Sequence, residues 1–204
     1  MARKRTIPKD PSPGKNYFLI DANVLAYAAL PKLTRATSIN ITDGKEKDRA
    51  MRCKEWWKYI NRQMKENKAR VYVPDICIAE AFKVLAKWYY QKGFFQNAAS
   101  YNQPRERLRK LVSTSHKDMA RATRKVQVHD IATNRDIIIG VDRFFEQAFK
   151  NKKARGVSTV DLVLLAIAKY LIEFYDIPRN RLYIISCDRA LVYLSKKYLK
   201  FMLL

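Results

Sequence analysis

Glycine is scarce, with five in 204 residues, at positions 14, 44, 93, 140 and 156. At that spacing neither the G-x-G-x-x-G dinucleotide fingerprint nor the phosphate-cradling P-loop can be written anywhere, which excludes nucleotide cofactors held by those loops. Cysteine is scarcer still: Cys53, Cys77 and Cys187 are odd in number and carry no CxxC or Cys/His pairing. Neither a disulfide framework nor a zinc site is indicated, and three reduced, mostly buried thiols are expected. The two histidines, His116 and His129, lie far in sequence from any well-placed serine or cysteine and read as surface residues. Long apolar runs are missing as well. The longest, residues 162–168, falls far short of the roughly 20 residues that cross a bilayer, so no membrane span is expected. The basic N-terminus (Arg3, Lys4, Arg5, Lys9) runs into Pro8, Pro11, Pro13 and Gly14 instead of an apolar core. That argues against a secretory signal, and a cytoplasmic location is the expectation.

Acid is the most telling shortage. Only 19 Asp and Glu face 41 Lys and Arg, a net charge of +22 in a chain that is otherwise globular in profile, 48% hydrophobic and 29% charged. A surface so one-sided repels itself, and a polyanionic partner is its natural counterpart.

The length suits one compact domain with some elaboration. Residues 1–16 read as a basic, proline-punctuated flexible arm, and 17–204 as a single domain. Within the domain, the apolar run Y-F-L-I at 17–20 meets Asp21 at once, the pattern of a strand buried on both faces. It returns at 70–73, ahead of Pro74 and Asp75, and at 182–185, ahead of Ser186, Cys187 and Asp188. The run 137–141, ahead of Asp142, is a weaker strand candidate. Helical periodicity over 47–68, 77–90 and 159–175 separates these runs. Alternating strands and helices predict an α/β fold, a three-layer α/β/α sandwich on a central parallel sheet. The stretch 100–135, with nine Lys or Arg against Glu106, Asp118 and Asp130, reads as a basic helical insertion on that sheet.

Ligands of open α/β sheets gather at the carboxyl ends of the strands, where strand order reverses. Asp21 and Asp188 follow strands directly. Glu80 lies about two turns into the helix after the second strand, and Asp161 in the first turn of the helix over 159–175. Four carboxylates from four segments would then meet in one pocket of a strongly basic chain. Like charges at that distance do not all stay ionised without a cation, and an all-oxygen donor set suits Mg²⁺ or Mn²⁺. Three of the acids also have purely structural readings. Asp161 completes a capping box with Ser158, Glu80 could be a solvated helix position, and Asp188 could cap the segment 189–197. Asn23, where a D-x-D phosphotransferase would need a second Asp, argues against aspartyl-phosphate chemistry.

Taken in order, L-I-D-A-N-V-L at 19–25, V-P-D-I-C-I-A-E at 73–80, S-T-V-D-L-V-L-L-A-I-A at 158–168 and I-I-S-C-D at 184–188 resemble the PIN-domain nucleases, whose members include toxin ribonucleases. The resemblance implies a PIN-like sandwich in which Asp21, Glu80, Asp161 and Asp188 hold Mg²⁺ or Mn²⁺, with Asn23 as the polar companion of the first acid. It also implies a metal-dependent endoribonuclease that cleaves RNA. A structure-specific DNA nuclease and a non-catalytic RNA-binding or assembly protein are the alternatives. Ser186 and Leu191 stand where the family often has Thr and an aromatic. Asn23, Ser158 and Ser186 are expected at the substrate, and Arg105, Arg107, Arg109, Arg121, Arg124 and Lys125 are expected to grip its phosphates. Tyr101 and Phe94 could stack bases or lie in the core. Expected partners are RNA, or DNA in its place, a second copy of the chain as a homodimer, and an antitoxin or other protein.

Overall fold

The computed structural model describes residues 14–31, 39–41, 43–112, 128–151, 154, 156–198 and 202–203. Residues 1–13 of the expected arm lie outside them, as do 113–127 of the basic stretch, with His116, Arg121, Arg124 and Lys125.

The first strand, β1 (Asn16–Ile20), is built from Tyr17, Phe18, Leu19 and Ile20, none of which has any exposed surface. A segment with no polar face can only be a central strand covered by a layer on each side. Its neighbours are β2 (Ala69–Pro74) and β4 (Leu182–Ser186), both parallel to it, with Leu19 opposite Tyr72 and Ile20 opposite Ile185. Two shorter strands complete a five-stranded parallel sheet in the order β3-β2-β1-β4-β5, with β3 at Val128–Ile131 and β5 at Met202–Leu203. The chain runs outward from β1 through β2 to β3, then crosses back to place β4 on the other side of β1. Strand order therefore reverses between β1 and β4.

Helices cover the sheet in two groups. In the first, α1 (Ala22–Ala29) packs on α2 (Gly44–Lys65), α3 (Asp75–Tyr90) and α4 (Ala98–Val112). The second is centred on α7 (Thr159–Phe174), which packs on α5 (Arg135–Gly140), α6 (Asp142–Lys150) and α8 (Arg189–Tyr198). The α/β/α sandwich with a central parallel sheet is thus the architecture of the chain. Residues 161–168 of α7 are all buried, seven of them apolar, so these two turns are covered on every side. Among the described residues no helix is long and apolar enough to cross a membrane.

Two sequence expectations change. The run 137–141 is not a strand: residues 137–140 fall in α5 and Val141 caps its end. The Asn134 side chain accepts the Ile137 N–H at 2.9 Å and starts a helix. Only Ile137 of the three isoleucines is buried, while Ile138 and Ile139 point outward. A cap with one buried anchor outweighs the β preference of the isoleucines. The basic stretch 100–135 opens as the helical α4 but closes with β3, an edge strand of the sheet. His129 lies in that strand, opposite Tyr72.

Candidate acidic site

The crevice at the β1/β4 reversal forms first from backbone. Asp21 N–H donates to Ile185 O at 3.1 Å, prolonging the β1–β4 ladder one residue past the strand and setting Asp21 beside Ser186. Asp21 then occupies the N-cap of α1, where an Asp would ordinarily close the helix. Its side chain makes no cap bond. Instead Ser186 Oγ donates to Asp21 Oδ2 at 2.9 Å. The carboxyl is 3% exposed. Burial first, and then the negative charge of Asp161, lift it from its ordinary 3.8 to about 7, against the pull of donors from Ser186, Ala22 and Asn23. A buried carboxyl poised near neutrality beside a second acid is a perturbation of the kind that marks functional sites.

Asp161 enters from the other helical layer. The capping box read from the sequence is present: Ser158 Oγ accepts from Asp161 N–H at 3.2 Å, and Asp161 Oδ2 accepts from Ser158 N–H at 2.9 Å and from its hydroxyl at 2.7 Å. Burial raises this carboxyl too; the Ser158 bonds oppose the rise, and the charges of Asp188 and Glu80 add to it. All four predicted acids are therefore within electrostatic reach, with Asp161 as the common neighbour. Asp188 also performs its structural role. Its Oδ1 accepts the Ala190 and Leu191 N–H groups at 2.6 and 3.1 Å, and its own N–H donates to Ser186 Oγ at 2.9 Å. Ser186 thereby ties the first acid to the fourth. Glu80 is half-buried on α3 and pairs with Lys83 at 3.1 Å.

In front of these acids opens a cleft of about 600 Å³, lined by Asn23, Glu80 and Asp188. Asp21 and Asp161 are buried and do not line it. Cations crowd its walls: Arg49, Lys83, Lys87, Lys92 and Arg189. Lys92 Nζ lies 2.9 Å from Glu46 Oε1, and the Tyr27 hydroxyl donates to the other Glu46 oxygen. Burial works to raise Glu46, but Tyr27, Lys92 and Arg49 hold it below the usual carboxylate range. Gly93, at φ +60°, adopts the left-handed turn that glycine takes without strain; it redirects the chain between Lys92 and the buried Phe94.

These cations were missed in the sequence, although Glu80, Lys83 and Lys87 recur at i, i+3 and i+7 on one face of α3, a readable signal. Arg49 and Lys92 come from distant segments and leave none. Of the residues expected to grip phosphate, Arg105, Arg107 and Arg109 lie on α4 and do not line the cleft. Arg105 sits 5.0 Å from the Tyr101 ring centroid and bonds Asn102, while Arg109 pairs with Glu106 at 3.1 Å. Arg107 is exposed, and its charge, after burial, helps to depress Lys54 to about 8. Tyr101 and Phe94 are both buried, as core aromatics.

Among the described residues no group of three or more His, Cys, Asp or Glu side chains is arranged so that it could hold a metal ion. The donor chemistry nevertheless fits a hard divalent cation. Asp161 and Asp188 each commit one oxygen to a helix terminus, and the other has no hydrogen bond among the described residues. Asp21 is buried with a mutual charge penalty that a cation would relieve.

No protein-family model and no curated protein matches the chain. Among solved structures it is similar to the crystal structure of VapBC2 from Rickettsia felis bound to a DNA fragment from their promoter. The identity there is 10%, the TM-score 0.47, and the coverage 91% of this chain and 97% of that chain.

Proposed function

We propose that this protein is a PIN-type endoribonuclease that depends on Mg²⁺ or Mn²⁺. The observation that carries the reading is geometric: Ser186 Oγ holds the buried Asp21 carboxyl and the Asp188 amide, each at 2.9 Å, beside a cation-walled cleft lined by Glu80 and Asp188, in a chain of net charge +22. Burial and then the charge of Asp161 raise Asp21, and burial and then the charges of Asp188 and Glu80 raise Asp161. Acids at the strand-order reversal, two of them lining a cation-walled cleft, suit a polyanion whose phosphate must approach carboxylates. Asp21, Glu80 and Asp161 would hold one cation, and Asp188 would help hold a second or orient the attacking water. When bound, the divalent ion supplies positive charge at the scissile phosphate and makes water a stronger acid. The chain's own groups do the remainder. Ser186 fixes the Asp21 carboxyl, Asn23 faces the substrate at the cleft wall, and Lys87 and Arg189 neutralise flanking phosphates.

The decisive experiment compares cleavage of single-stranded RNA, single-stranded DNA and branched DNA by the wild type and Asp21→Asn, with Mg²⁺, with Mn²⁺ and with EDTA. RNA cleavage by the wild type alone, abolished by EDTA and reduced more than about 100-fold by the substitution, is the expected result, with RNA binding retained in Asp21→Asn. Cleavage confined to DNA would move the chain to the structure-specific nucleases. RNA binding without cleavage under any metal would make it a binding protein.

A further inference from the structure

Cys53 and Cys187 are separated by 134 positions, yet their sulfurs lie 3.2 Å apart. Cys53 projects from α2 with no exposed surface, whereas Cys187 is half-buried and lines the cleft. One sulfur is therefore reachable from solvent and the other waits behind it. We propose that Cys53 and Cys187 form an oxidation site in which a peroxide-class oxidant closes a reversible disulfide between α2 and the short connection after β4, Cys187 and Asp188.

The chemistry balances in two displacements. Cys187 Sγ attacks the O–O bond of hydrogen peroxide and gives up its proton, forming a sulfenic acid and releasing water. Cys53 Sγ then displaces the sulfenic oxygen, which leaves with the Cys53 proton as a second water, and the S–S bond forms. Two thiols are oxidised by two electrons and one peroxide is reduced. A dithiol such as dithiothreitol reverses the change by exchange.

The position gives the crosslink a consequence. A disulfide holds its sulfurs about 2.05 Å apart, so closing the present gap draws them together by roughly 1 Å. Cys53 is anchored in a 22-residue helix, and Cys187 lies in a short loop, so the loop yields. Its two neighbours are Ser186, whose hydroxyl holds both Asp21 and the Asp188 amide at 2.9 Å, and Asp188 itself. Oxidation would thus shift two of the four acids relative to the other two. This consequence for cleavage rests on the nuclease reading; formation of the disulfide does not.

The full chain is reduced, freed of reductant, and treated with graded hydrogen peroxide in EDTA. It is then denatured and labelled with a maleimide, and labels are counted by mass. The wild type is expected to fall from three labels to one, with a Cys53–Cys187 peptide and Cys77 still free. Cys77→Ser is expected to fall from two labels to none. Cys53→Ala, an apolar replacement suited to that buried position, is expected to form no internal crosslink and to yield a dimedone adduct on Cys187; Cys187→Ser is expected to keep both remaining labels. Three surviving labels at doses that oxidise free glutathione would overturn the proposal, and so would preferential loss of Cys77 or crosslinking only between chains. In parallel, RNA cleavage should drop by up to about 100-fold on oxidation, the scale of a 1 Å misplacement, and return with dithiothreitol. An inactive wild type would count against the nuclease reading while leaving the thiol count to decide on the disulfide.

Discussion

Asp21 is the residue at which fold and chemistry pull hardest against each other. The backbone of β1 delivers it into a dry crevice, where its carboxyl is held at about 7 against an ordinary 3.8. Between those two values the folded chain binds a proton that the unfolded chain has released. The stability from that proton is complete below the unfolded value and is lost as pH rises through about 7, a loss of about 4 kcal/mol at most. Asp21→Asn keeps an acceptor for the Ser186 hydroxyl but cannot ionise. Urea unfolding at about pH 5 and about pH 8 should show the wild type weakening across that interval and the variant holding, so that the variant is the more stable protein on the alkaline side. Mn²⁺ or Mg²⁺ should raise the midpoint of the wild type above pH 7 and leave Asp21→Asn nearly unmoved, because a ligand that binds only the folded state stabilises it by mass action. Parallel pH curves for the two proteins would remove Asp21 from the role of buried, charge-strained acid.

Among the elements, α7 couples stability to the site most directly. Its capping box satisfies the first turn and also aims Asp161, so Ser158 serves both at once. Ser158→Ala should lower stability by about 1 kcal/mol, the usual cost of an N-cap, which for a chain of this length is a fall in Tm of roughly 2 to 4 °C. Cleavage should fall with it, and Ser158→Thr should restore both, since the threonine hydroxyl reaches the same amide. Lost stability with undiminished cleavage would mean that Asp161 is aimed by something other than its cap. The sequence is most legible where burial leaves little alternative: in β1 the run Tyr17–Ile20 is wholly buried and in β4 the run Leu182–Ile185 is apolar throughout, whereas β2 alternates buried positions with the half-buried Arg70 and Tyr72, and an acid straight after a fully buried strand has few structural reasons to be there. It failed at α5, where the Asn134 cap and the single buried Ile137 decided against a run of isoleucines. The edge strands β3 and β5 carry no such signal: Val128–Ile131 has His129 and Asp130 between apolar ends, and Met202–Leu203 is too short to show any period. Arg49 and Lys92, like the juxtaposed sulfurs of Cys53 and Cys187, are products of tertiary structure and have no local signature.

At the scale of the whole molecule, the excess of positive charge is distributed between two places that a nucleic acid could use. One is the cleft wall, where Lys87 and Arg189 have no acidic partner among the described residues. The other is α4, which packs against α1 and against α3, the helix that carries Lys83 and Lys87. The pairing of Arg109 with Glu106 on α4 is exposed and worth little, so phosphate can compete for that guanidinium. A strand longer than the cleft would be needed to touch both surfaces. The two surfaces should therefore separate by substrate length. For single strands the slope of log K against log salt is about −0.7 per phosphate contacted. Lys87→Gln with Arg189→Gln should flatten it by about 1.4 on short and long RNA alike. Arg105, Arg107 and Arg109 changed together to Gln should flatten it by about 2 on long RNA and leave an oligonucleotide confined to the cleft unaffected. The rate at saturating substrate should survive the α4 changes, because contacts made equally in ground and transition states affect binding alone. An unaltered slope for the α4 variant on long RNA would confine the phosphate path to the cleft, and an equal effect on short and long RNA would show that the charge acts as a diffuse field without a track.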